Sequence, residues 1–142
     1  VYGGTLNING GTVNCDNFKA VFDFANFVQC GQDVMEAWEM LAPYVEYCHI
    51  KDAAPDGHIV PPGDGIGALR EYLPLYAAQG GVVLTLEPHL AIFDGYATID
   101  DEEMKNRFHF ENNDEAFDYA VTALKGILTA QGYKEENGGF VK

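Results

Sequence analysis

The chain has 142 residues, 47% hydrophobic and 13% aromatic, a globular composition sized for one domain, which excludes a disordered chain. Its 22 acids against 8 bases leave a formal net charge of −14. That balance repels polyphosphates, so no nucleic-acid partner is expected, and the acidity itself reads as a solvated surface.

No stretch approaches the roughly 18 apolar residues of a membrane span. No basic segment followed by an apolar run resembles a signal peptide, so no membrane partner is expected. Three cysteines, Cys15, Cys30 and Cys48, make an odd count without a Cys-x-x-Cys pair. This predicts free thiols and a reducing, cytoplasmic setting. The chain starts at Val1 without Met, which predicts a processed chain or one cut from something longer.

Residues 1–17 are rich in Gly and Asn and have no helical period. They read as an irregular lead-in, with a short edge strand at Thr5-Leu6-Asn7-Ile8-Asn9 and a turn at Gly10-Gly11. Phe18–Phe22 is the first clear strand, and Asp23-Phe24-Ala25-Asn26-Phe27 follows as a loop. Asp33 then caps a helix running to about Leu41, with Glu36 completing a capping box. Val34, Trp38 and Leu41 share its apolar face, and Pro43 ends it.

Val45–Ile50 is the second strand. Residues 53–67 (AAPDGHIVPPGDGIG) read as a long functional loop. A helix over 68–78 is stopped by Gly80-Gly81, and Val82–Leu86 is the third strand. Residues 88–112 are irregular and hold an acidic cluster, Asp100-Asp101-Glu102-Glu103. Asn112 caps the last helix, with Glu115 three positions on. Its apolar stripe is Ala116, Phe117, Ala120, Val121, Leu124, Ile127 and Leu128, and Gly132 ends it. The tail 133–142 is polar and reads as mobile.

Strands alternating with helices predict an α/β fold with a parallel sheet and right-handed crossovers. Each strand ends on a residue type that ligates metals: Val21-Phe22-Asp23, Tyr47-Cys48-His49 and Leu84-Thr85-Leu86-Glu87. Parallel α/β sheets and barrels place their sites at that edge. Asp23, His49 and Glu87 are therefore expected to converge on one divalent metal. Glu87 follows the run Val82-Val83-Leu84-Thr85-Leu86, apolar but for Thr85, where an unpaired carboxylate would be costly. His49 follows Asp23 by 26 residues and precedes Glu87 by 38. A (β/α)8 barrel repeats every 30 or so residues, at about 250 in all.

Val21-Phe22-Asp23-Phe24-Ala25-Asn26-Phe27-Val28-Gln29-Cys30-Gly31 resembles the Asp-Pro-Ala-Asn-Phe stretch of the sugar phosphate isomerase/epimerase family. His49-Ile50-Lys51-Asp52-Ala53 is similar to that family's next signature. Pro62-Gly63-Asp64-Gly65 is similar to its glycine-rich loop, and Leu86-Glu87-Pro88-His89-Leu90 to its closing strand. Glu115 to Leu128 resembles its last helix, so the likeness covers residues 13–131 in register. The resemblance implies the xylose-isomerase-like TIM-barrel fold. This chain then corresponds to the C-terminal half, the last three to four βα units of a partial (β/α)8 barrel over 18–131, with 132–142 as a tail.

The family holds one divalent ion through Glu, Asp, His and Glu. Asp23, His49 and Glu87 match the last three, and the first Glu has no counterpart here. The implied cofactor is Mn2+, Mg2+, Co2+ or Zn2+. The implied activity is isomerisation or epimerisation of a small sugar, keto-sugar or sugar phosphate through an enediolate, with Glu87 as catalytic acid-base. Asn26, Lys51, His58 and His89 are candidates for substrate binding, against an Asx-turn for Asn26 and an ion pair with Asp52 for Lys51.

Two alternatives stand beside this one. A half-barrel exposes sheet edges and an apolar face, and can persist without catalysis by pairing with a copy of itself or a missing N-terminal half. An abasic-site endonuclease branch shares the barrel, but the acidic charge disfavours it.

Overall fold

The computed structural model describes residues 19–90 and 110–142. The expected edge strand at 5–9, the Gly10-Gly11 turn, Cys15 and the acidic cluster at 100–103 lie outside these residues.

The first strand, β1 (Ala20–Asp23), runs parallel to β2 (Val45–Ile50), which in turn runs parallel to β5 (Leu84–Leu86). The fold is mixed α/β around this three-stranded parallel sheet, in the order β1-β2-β5. Parity then sorts the side chains. Phe22, Cys48, Leu84, Ile50 and Leu86 share the face that the helices cover. The other face carries Val21, Tyr47, Asp23, His49 and Thr85.

On the covered face, Phe22 packs edge-on against Phe24 and Trp38, and Tyr72 lies beside all three. Cys48 is fully buried there, and burial pushes its thiol up to about 12. The Tyr72 hydroxyl is buried without a partner among the described residues.

The segment expected as a loop after Asp23 is a short helix, α1 (Phe24–Gln29). Asp23 caps it, accepting the Asn26 N–H at 3.1 Å. Phe24, Ala25 and Val28 face the core from it. Helix α2 (Val34–Leu41) forms as expected, with Asp33 accepting the Glu36 N–H at 2.9 Å. Val34 and Trp38 are buried. A 3-10 turn, Ala42–Tyr44, carries Pro43 into β2.

The expected long loop 53–67 is partly built. Its start, β3 (Asp52–Ala53), pairs antiparallel with β4 (Ile59–Val60). The rest wraps the Asp52 carboxylate, which accepts N–H groups from Ala53, Gly63, Gly65 and Gly67 at 2.9–3.1 Å. Glycine is needed for that approach. A Cβ on Gly65 would collide with the Asp52 carboxylate and the Ala53 carbonyl.

Helix α3 (Leu69–Ala78) follows, with Pro74 inside it. Pro74 has no N–H for the Arg70 carbonyl, and the Gln131 side-chain amide donates to that oxygen instead, at 2.9 Å. The third strand is shorter than expected, because Val82 and Val83 precede it and are exposed.

The last helix, α4 (Asn113–Ala130), is capped by Asn112, which accepts the Glu115 N–H at 2.9 Å. Ala116, Ala120, Ile127 and Leu128 are buried, while Phe117 of the expected stripe is exposed. The tail forms a hairpin, β6 (Lys134–Glu136) with β7 (Gly139–Val141). Asn137 and Gly138 supply its turn with positive φ. No described helix is long and apolar enough to cross a membrane.

Candidate functional site

The parallel register sets Asp23 beside His49, and His49 beside Thr85, across the uncovered face. Glu87 comes one step past β5, where its N–H donates to the Ile50 carbonyl at 3.2 Å. Three adjacent strands thus deliver Asp23, His49 and Glu87 to one place at their carboxyl ends. One ligand atom from each lies within 4.8 Å of the other two. His49 Nδ1 is 2.8 Å from Glu87 Oε2 and 3.7 Å from Asp23 Oδ2. Asp23 is buried, and His49 and Glu87 are half-buried.

Lys51 enters the same cluster from two residues past His49. Its Nζ lies 3.0 Å from Asp23 Oδ2 and 4.0 Å from Glu87 Oε2. Of the alternatives for Lys51, the ion pair forms, with Asp23 and not Asp52, because backbone donors already occupy Asp52. His89 closes the group, with Nε2 3.3 Å from Glu87 Oε1. Its backbone is left-handed, at φ +46°. Burial, aided by the Lys51 charge, holds the His89 imidazole below its ordinary value of 6.5.

The remaining candidates separate. Asn26 is exposed in the first turn of α1, one turn from Asp23, and its backbone N–H is the one Asp23 accepts. His58 is not part of the cluster. It sits in the turn between β3 and β4, where its Nδ1 is 3.0 Å from Asp56 Oδ2. That contact lowers the Asp56 carboxyl, through the His58 side chain first. Thr85 is exposed in the same register row as Asp23 and His49 and was not anticipated. The two-residue alternation from Val83 through Thr85 to Glu87 is the signal that marks it.

Two carboxylates and an imidazole at this spacing are a fitting donor set for one divalent ion with oxygen and nitrogen preference. Three protein donors also leave positions for water or substrate. The Lys51 ammonium beside both carboxylates offsets their mutual repulsion. No family model, no curated protein and no solved structure matches this chain.

Proposed function

We propose that the cluster is the metal site of an isomerase or epimerase acting on a small sugar, keto-sugar or sugar phosphate, on a partial (β/α)8 barrel. One observation carries the proposal: the ligand atoms of Asp23, His49 and Glu87 meet within 4.8 Å at the ends of adjacent parallel strands. A divalent ion held by these three would supply Lewis acidity toward a substrate carbonyl and its neighbouring hydroxyl.

The chain's own groups supply the proton chemistry. Glu87 is the carboxylate placed to take a proton from the carbon beside that carbonyl and return it to another carbon or face. Its two oxygens are held apart in role, Oε2 toward His49 and Oε1 toward His89. Thr85, exposed in the same register row as His49, offers a hydroxyl to substrate hydroxyls. The reducing, cytoplasmic setting expected from the odd cysteine count belongs to the same proposal.

The test is deuterium wash-in. With Mn2+ and a panel of ketoses in D2O, the protein is expected to incorporate deuterium at the carbon next to the carbonyl, read by mass spectrometry. Glu87→Gln should slow incorporation by about a hundredfold or more. His49→Ala should lose bound Mn2+ by elemental analysis. Wild-type protein that takes up neither metal nor deuterium ends the proposal.

The open sheet supports a second proposal, association of two half-barrels. Val21 and Val83, on the face that carries the site, are 42% and 50% exposed. Three parallel strands do not close a barrel.

A further inference from the structure

We propose that Lys51 is a built-in counter-ion of the cluster, an ammonium that stands where a divalent cation would act and yields when one binds. The proposal rests on the metal site above and adds a role distinct from substrate binding. Its observation is shared oxygens. Asp23 Oδ2 and Glu87 Oε2 are the carboxylate atoms nearest His49, and they are also the two atoms that Lys51 Nζ approaches, at 3.0 and 4.0 Å. The side chains of Lys51 and Asp23 are 7% and 9% exposed, so water screens their contact little.

An ammonium so placed has two opposing effects. It offsets the repulsion of two carboxylates that share a pocket, which keeps the metal-free protein folded with its donors in position. It also repels an incoming cation and competes for the same lone pairs. The second effect is enforced from behind. Asp52, the next residue, is clamped by four backbone N–H groups. The backbone at Lys51 is therefore pinned at the site, and only the side chain can move aside.

The experiment is calorimetric titration of Mn2+ into EDTA-stripped wild type, Lys51→Met and Lys51→Arg, with thermal melts of each. Lys51→Met should bind Mn2+ about tenfold or more tightly than wild type. Lys51→Arg, which keeps the charge, should show no gain. Without metal, Lys51→Met should melt below wild type, and saturating Mn2+ should close that gap. Equal or weaker binding by Lys51→Met, while wild type binds, overturns the counter-ion role and leaves the metal site standing. No binding by any of the three overturns the metal site, and this role with it.

Should Lys51→Met fail to fold, wild type alone decides. Acetylation of Lys51 by acetic anhydride, read by peptide mass against exposed Lys134, should rise severalfold on adding Mn2+. Unchanged or reduced labelling overturns the proposal.

Discussion

Two residues carry consequences that their contacts alone dictate. The Tyr72 hydroxyl is buried among aromatic rings with no partner among the described residues. A buried hydroxyl without a hydrogen bond costs more than it returns. Tyr72→Phe should therefore raise stability by about 1 kcal/mol, read as a higher urea midpoint with unchanged slope. His89 yields a pH prediction. Its folded imidazole lies below the ordinary 6.5, chiefly through burial. The unfolded chain then takes up the proton first as pH falls. This residue's share of stability is present above about 6.5, shrinks below it, and levels off once the folded form also titrates. In metal-free protein, the His89 ring resonances should titrate with a midpoint below 6.5. His89→Gln should remove that part of the acid sensitivity.

Single residues were also where the sequence was most legible. Asp33 with Glu36, and Asn112 with Glu115, announce their helices by spacing alone, and both caps form. Asp23, His49 and Glu87 stand out because a charged type after an apolar run is costly to bury without a partner. Lys51 was less transparent. Its neighbour Asp52 looks like the obvious partner along the chain. The backbone amides of Gly63, Gly65 and Gly67 take that carboxylate, and they lie 11 to 15 residues away.

At the scale of elements, the Asp52 clamp is the part most exposed to mutation. Burial pushes its carboxyl up, and the four N–H groups pull against that shift. Asp52→Asn would replace one acceptor oxygen by an amide that faces the same donors. The expected cost is about 3 kcal/mol, measured by denaturant unfolding.

Elements escaped the sequence for separate reasons. Helix α1 has six residues, too few for a 3.6-residue period to show, and it exists because Asp23 caps it and the core accepts Phe24, Ala25 and Val28. The pairing of Asp52–Ala53 with Ile59–Val60 is two residues long and hidden in a Pro/Gly-rich run. The tail hairpin was legible in principle, since Asn137-Gly138 is a strong turn signal, but its first strand, Lys-Glu-Glu, has no apolar residue to mark it. Val82 and Val83 read as strand by type. They stay outside β5, where the Tyr76 hydroxyl meets the Val83 backbone.

For the whole molecule, the α/β class and the parallel direction of the sheet followed from the alternation of elements. A barrel did not, because the described residues hold three parallel strands, and three do not close one. Exposed Val21 and Val83 set the expectation for size in solution. Sedimentation should report a species larger than one chain at micromolar concentration, and Val83→Lys should shift it toward the monomer.

The three donors come from three different strands, and no two share one. A peptide excised around any of them carries one member of the cluster and loses the arrangement that brings the three together. Binding would then be a property of the intact sheet alone, and an ion would hold the native chain against its cleavable, opened forms. Protease digestion should accordingly slow when Mn2+ is present, and the released fragments should carry none of it away.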